Sequence, residues 1–337
     1  MVFLSLFYRF KKTMETQKAL SFTHRKTEKI RIATLLTIYS RPVLNRIFYI
    51  FAFMEKIKLI ECPRDAMQGI QKLIPTHQKV KYINALLRVG FDTIDFGSFV
   101  SEKSIPQLSD TREVLSKLDL SNTTSKLLAI IANLRGAEEA SVFDEISFLG
   151  FPFSVSEEFQ KRNTNASMEE ALSRIEEIQK VCVQRDKQLI IYVSMAFGNP
   201  YGEPWNADIV IKWVKRLAEL GVRIIALSDT VGVSNPENIT YLFSHLIPEN
   251  RGIEFGAHLH SRPDSWETKI NAAYQSGCLR FDSAIKGIGG CPMADYALVG
   301  NIATENLLSY FQSKEVPFDL DLEMFSIALS VANETFV

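Results

Sequence analysis

Short apolar runs rich in β-branched or aromatic residues recur along the chain, beginning near Ile57, Phe91, Lys126, Asp144, Gln188, Val222, Ile253 and Phe281. Most intervals between them carry apolar residues at helical spacing instead. In Ala207 to Leu220, for example, Ile209, Val210, Trp213, Leu217 and Leu220 fall on one face. The pattern predicts strand and helix in alternation. Three times a helical stretch meets a glycine and passes straight into a strand, at Val89-Gly90-Phe91, Leu220-Gly221-Val222 and Ser276-Gly277-Cys278. A helix that ends in a left-handed residue needs this, because glycine takes positive φ without steric cost. Eight such units in residues 54–337 predict an α/β fold, a (β/α)8 TIM barrel, a class that typically takes about 250 residues. An open doubly wound sheet is the rival, but no GxGxxG or GxxxxGK[ST] follows the first run.

Composition sharpens this picture at the amino terminus. The chain has 337 residues, 46% hydrophobic and 23% charged, which excludes disordered and collagen-like classes. Its net charge of −1 hides a split, since residues 1–53 hold ten Lys or Arg against two Glu. The segment lacks a helical period and is expected to lie outside the barrel that spans 54–337. It reads as an over-extended start before Met54, as an organelle transit segment, or as a basic surface-binding tail. The longest uncharged apolar stretch there, Ile47 to Met54, falls well short of the roughly 18 residues of a spanning helix. Neither a membrane nor a nucleic-acid partner is expected. Cys62, Cys182, Cys278 and Cys291 form no CxxC pair, which argues for a reducing compartment. The expected location is the cytoplasm, or the mitochondrion if residues 1–53 are a transit peptide.

In a barrel of this class, chemistry gathers at the carboxyl ends of the strands. His258 and His260 stand two apart at the seventh strand, so both imidazoles point to one face and can reach one cation. Two hydrogen-bonded histidines would look the same. After the first strand, Arg64 and Asp65 put a guanidinium beside a carboxylate, suited to an enolate oxygen and a cation, or else to a solvated turn. Lys286 to Met293 carries three glycines and then Cys291, either a thiol on a mobile loop or a structural cysteine. Asn301 offers an amide oxygen, or a helix cap. Asp95 and Asp229 end two further strands, with helix capping as the plain alternative.

Together these residues resemble the hydroxymethylglutaryl-CoA lyases, TIM-barrel members of the metal-dependent aldolase and Claisen enzymes. The resemblance runs from about Ile57 to the last helix. It is carried by Arg64-Asp65, Ser98-Phe99-Val100-Ser101 with Pro106-Gln107, Lys161-Arg162-Asn163, Ser194 to Gly198, Asp229 to Gly232, His258-Leu259-His260, Gly289-Gly290-Cys291-Pro292 and Gly300 to Glu305. It implies that Asp65, His258, His260 and Asn301 hold a divalent cation, Mg²⁺ or Mn²⁺. It further implies that Arg64 steadies an enolate, Asp95 contacts Arg64, and Asp229 or His258 accepts a proton. Cys291 becomes the acid or base, and Gln68, Asn163, Gly289 and Gly290 face an acyl-CoA substrate in what is expected to be a homodimer. No nicotinamide, flavin or pyridoxal phosphate is called for.

The sequence departs from that family at four places. Asp95 stands for the usual Glu, Ser261 and Arg262 for Asp and Thr, and Ala66 for Gly, and one extra residue separates Cys291 from Asn301. These changes keep open a related enzyme acting on another acyl-CoA or a 2-oxo acid, or a catalytically silent acyl-CoA-binding barrel.

Overall fold

The computed structural model describes residues 56–290 and 299–336. The expectations for residues 1–53 and for Cys291 fall outside that range. Among the described residues, eight parallel strands close into a barrel in sequence order, with the last strand pairing back onto the first. They are β1 (Lys58–Glu61), β2 (Thr93–Ser98), β3 (Lys126–Ile130), β4 (Ile146–Ser154), β5 (Gln188–Ser194), β6 (Ile224–Ser228), β7 (Glu254–His258) and β8 (Arg280–Ser283). Each begins within two residues of the run that announced it. Phe91 and Val222 explain part of the offset, since both are fully buried but precede the first paired residues, Thr93 and Ile224.

Helices fill the intervals. Those that bear on the site are α1 (Pro63–Gln68), α2 (Thr76–Val89), α3 (Glu157–Thr164), α4 (Met168–Gln184), α5 (Ala207–Glu219), α6 (Trp266–Gln275), α7 (Thr304–Ser313) and α8 (Leu322–Thr335). The long interval between β4 and β5 holds two of them, α3 and α4. Gly90, Gly221 and Gly277 all have positive φ, as the three glycine junctions require. No described helix is long and apolar enough to cross a membrane.

Strand alternation divides the core in two. Leu127, Ala129 and Ile131 join the layer between sheet and helices, while Leu128 and Ile130 join Phe148, Ile190, Tyr192 and Ile224 in the barrel interior. On β8 the same period sends Phe281 outward into the helix layer, and places Arg280 and Asp282 together on the other face. The barrel axis is therefore apolar in its middle and charged where β2, β7 and β8 contribute Asp95, His258, Arg280 and Asp282, all buried.

Candidate active site

A cavity of about 500 Å³ opens at the carboxyl end of the barrel, lined in part by Arg64, Asp65, Gln68, Asn163, His258 and His260. β1 turns directly into α1, with Pro63 at its first position, where a missing N–H costs nothing. That abrupt start sets Arg64 and Asp65 just beyond the strand, only 8% and 6% exposed, so a solvated turn is excluded.

Arg64 is held on three sides. Its Nε and Nη2 donate to the Asp95 carboxylate, at 3.0 and 2.6 Å to Oδ2, and its Nη1 donates to Asp65 Oδ1 at 3.0 Å and Gln68 Oε1 at 2.9 Å. Asp95 therefore reaches Arg64 despite its shorter side chain. Burial pushes Asp95 up to about 6 against the pull of Arg64. Burial alone would lower the guanidinium's pKa, but Asp95 and Asp65 hold it above its ordinary value, so it stays charged.

Asp65, His258 and His260 bring one ligand atom each within 4.8 Å of one another. Burial would raise the Asp65 carboxyl, yet Arg64 and the two histidines draw it down to about 2. His260 Nδ1 faces the Thr230 carbonyl at 3.2 Å, and His258 Nδ1 faces Asp282 Oδ2 at 3.0 Å. Burial, aided by neighbouring His258, lowers His260 to about 4, leaving it neutral. For His258 burial acts downward too, but Asp282 outweighs it and the net direction is up.

Asn301 does not cap a helix. Ala303 takes that position for α7, while Asn301 Nδ2 donates to Asp65 Oδ2 at 2.7 Å and the Ile288 carbonyl at 2.9 Å. A backbone bridge between His260 and Asn301 locks the two segments together. Gly289 is forced by the same crowding: with φ of 112°, a Cβ there would stand 2.5 Å from Asn301 Nδ2 and 3.1 Å from Asp65 Oδ2. Gly290 has φ of 127° beside it.

The donors fit a hard or borderline divalent cation. Two imidazoles, a carboxylate and an amide converge, and His260 Nε2 is buried without a partner among the described residues. Asp65, His258 and His260 would hold it, and Asn301, whose Nδ2 is turned to Asp65, would add its oxygen only with the amide reversed.

Asp229 stands apart from this cluster. Its Oδ2 accepts from Lys269 Nζ at 2.7 Å and from the Ser234 hydroxyl, its Oδ1 accepts from Ser234 N at 3.1 Å, and it does not line the cavity. Gln107, one carrier of the resemblance, braces the loop after α1 by bonding to Ile70, Lys72 and Ile74.

Four contributors escaped the sequence reading. Thr230 supplies the carbonyl for His260, and its hydroxyl accepts from Met195 N at 2.9 Å. The Tyr192 hydroxyl is buried in the cavity wall without a partner among the described residues. Lys269 interrupts the apolar stripe of α6 and Asp282 is an acid inside a buried strand, and both are signals a search for charge within hydrophobic periodicity can find.

Comparisons with known proteins place the chain in a family and match its barrel fold. The cytoplasmic 3-hydroxy-3-methylglutaryl-CoA lyase of Rattus norvegicus is 32% identical over 271 residues, covering 80% of this chain and 78% of that one. The hydroxymethylglutaryl-CoA lyase of Pseudomonas mevalonii is 31% identical over 274 residues, covering 80% and 89%. Among solved structures, an HMG-CoA lyase from Acinetobacter baumannii in complex with coenzyme A and 3-methylmalate superposes with a TM-score of 0.76 at 30% identity, covering 82% of this chain and 90% of that one. Residues 56–331 match the HMGL-like family, and the chain belongs to it.

Proposed function

We propose that the chain is a divalent-cation-dependent carbon–carbon lyase that cleaves 3-hydroxy-3-methylglutaryl-CoA into acetyl-CoA and acetoacetate. The observation that carries this reading is the convergence of Asp65, His258 and His260 beside Arg64, with a buried imidazole nitrogen left unpaired. Its relatives' names point to the same substrate.

The reaction breaks one carbon–carbon bond. The tertiary hydroxyl gives up its proton, acetoacetate leaves, and the enolate of acetyl-CoA is then protonated. A bound divalent cation supplies acidity to that hydroxyl and fixes its orientation; the imidazoles favour Mn²⁺ over Mg²⁺ without excluding either. Arg64, kept charged and aimed by Asp95, steadies the thioester oxygen as negative charge develops there. Gln68 and Asn163, on the cavity wall, orient the substrate, and Gly289 and Gly290 let the loop approach it closely.

Of the two proton acceptors suggested by the sequence, His258 lines the cavity while the Asp229 oxygens are engaged by Lys269 and Ser234. His258 Nε2 holds a cation or a proton, not both. Were His258 engaged by a cation, the hydroxyl proton would pass to solvent or to Cys291. Cys291 then returns a proton to carbon.

Residues 1–53 lie outside the catalytic barrel in this reading, the barrel acts as a homodimer, and its compartment is the cytoplasm, or the mitochondrion if residues 1–53 are a transit peptide. Incubation with Mn²⁺ or Mg²⁺ and hydroxymethylglutaryl-CoA, followed by mass spectrometry, tests the reaction. Equimolar acetyl-CoA and acetoacetate are expected; untouched substrate with an intact fold would overturn it.

A further inference from the structure

Beneath the cavity floor lies an acid that the reaction itself does not use. Asp282, on β8, is 3% exposed inside the barrel, and its Oδ2 stands 3.0 Å from His258 Nδ1. Its Oδ1 has no partner among the described residues. The nearby guanidinium of Arg280 pairs instead with Glu254 at 3.1 Å and with Asp92 at 3.8 Å. The Cys62 thiol is close by, its sulfur within 4.8 Å of the ligand atoms of His258 and Asp282. Sinking a carboxylate into a barrel interior costs several kcal/mol unless a donor compensates it. Arg280 is near enough to attract it, but the imidazole is the donor within hydrogen-bonding distance.

The geometry points to Asp282 as a positioning residue that sets which nitrogen of His258 carries the proton. A carboxylate only accepts, so Nδ1 keeps the hydrogen and the lone pair is left on Nε2, the nitrogen free to serve as the ligand atom His258 offers beside Asp65 and His260. His260 is arranged in parallel by different means, because the Thr230 carbonyl facing its Nδ1 is also an obligate acceptor. One imidazole is thus fixed by main chain and the other by a side chain. Only the second can be released by a substitution that leaves the backbone alone. The inference rests on the proposed cation site for its purpose, but the tautomer it predicts exists without any metal.

Asp282→Asn separates the possibilities. The amide has nearly the same size and can turn its NH2 toward Nδ1, which favours the tautomer with hydrogen on Nε2 and blocks ligation there. Long-range ¹H–¹⁵N spectra of the metal-free protein, taken at alkaline pH where the imidazoles are neutral, read both rings at once. The expected result is His258 protonated on Nδ1 in the parent and on Nε2 in Asp282→Asn, with His260 unchanged in both. Mn²⁺ affinity, measured by calorimetry on the same samples, should fall by roughly 10- to 100-fold. A His258 ring in the same tautomer in both proteins, with Mn²⁺ affinity unchanged, would overturn the role. The expected tautomers in both proteins, with a parent that binds no Mn²⁺, would overturn the cation site while leaving Asp282 as the orienting group. If Asp282→Asn does not fold, the parent spectrum decides: His258 carrying its hydrogen on Nε2 rules the inference out, and hydrogen on Nδ1 supports it.

Discussion

His260 has one ring nitrogen turned to the Thr230 carbonyl and the other buried without a partner among the described residues, an arrangement that costs free energy unless something occupies the second. His260→Ala should therefore weaken cation binding and activity together, with excess Mn²⁺ restoring part of the activity; titration of Mn²⁺ against turnover checks it. Cys291→Ser tests the proton carrier. Serine keeps the size and hydrogen bonding but has a far higher pKa, so kcat should drop by roughly 10²- to 10⁴-fold while KM moves little. The other three thiols are unsuited to that task, since burial pushes Cys182 and Cys278 up to about 12 and Cys62 well above its ordinary value. Near-normal kcat in Cys291→Ser would transfer the step elsewhere. The pairing of His258 and His260 was legible in the sequence because histidines are rare here and their spacing has a geometric meaning: two side chains two apart on extended chain share a face. Asp282 and Lys269 were not, because their partners lie on other elements and no local spacing announces a contact made across the barrel.

Between elements, charge and hydrogen bonds do what apolar packing alone cannot, which is to fix one loop against another. Lys269, buried on α6, donates to Asp229 Oδ2, to the His260 carbonyl at 2.8 Å and to the Gly232 carbonyl at 3.2 Å, tying the ends of β6 and β7 together. Lys269→Met leaves Asp229 as a buried charge without its cation and should cost about 3–5 kcal/mol. Urea unfolding measures it, and adding Asp229→Asn should recover part of the loss; an unchanged midpoint in Lys269→Met would remove the clamp from the account. Glu61, at the end of β1, accepts from Ile285 N at 2.8 Å and from the Thr304 hydroxyl at 2.6 Å, joining β1 to α7 and to the turn after β8. Its burial raises the pKa from 4.5 to about 8. The folded state then holds a proton that the unfolded chain releases, so the contribution is complete below about pH 4.5 and is lost as pH rises toward 8. Relative to Glu61→Gln, whose amide does not titrate, the parent's thermal midpoint should decline across that window; parallel profiles would show that Glu61 titrates normally. Strand positions were legible to within two residues because the barrel buries both faces of each strand, and a continuous apolar run survives in any register. Their first paired residues were not, since pairing begins where the neighbouring strand allows it.

At the scale of the molecule, closure of the sheet limits what any further segment can add. β1 pairs with β2 on one side and β8 on the other, so no strand edge is left for residues preceding it to extend. The far end of the described chain is also anchored internally: α8 packs against α2, and Asp321 N donates to the Val89 carbonyl at 2.9 Å. Arg64, Asp65, His258, His260 and Asp282 all lie after Lys56. The basic composition of residues 1–53, ten Lys or Arg against two Glu, contrasts with the acidic balance of the rest and suits targeting or surface contact better than a barrel core. A chain beginning at Met54 should therefore keep its kcat, its Mn²⁺ affinity and its thermal midpoint. Reduced turnover with an unchanged midpoint would place part of residues 1–53 over the cavity mouth, and a midpoint lowered by several degrees would show that the segment packs on the barrel; either result would defeat the proposal that the catalytic unit is complete from Met54 onward.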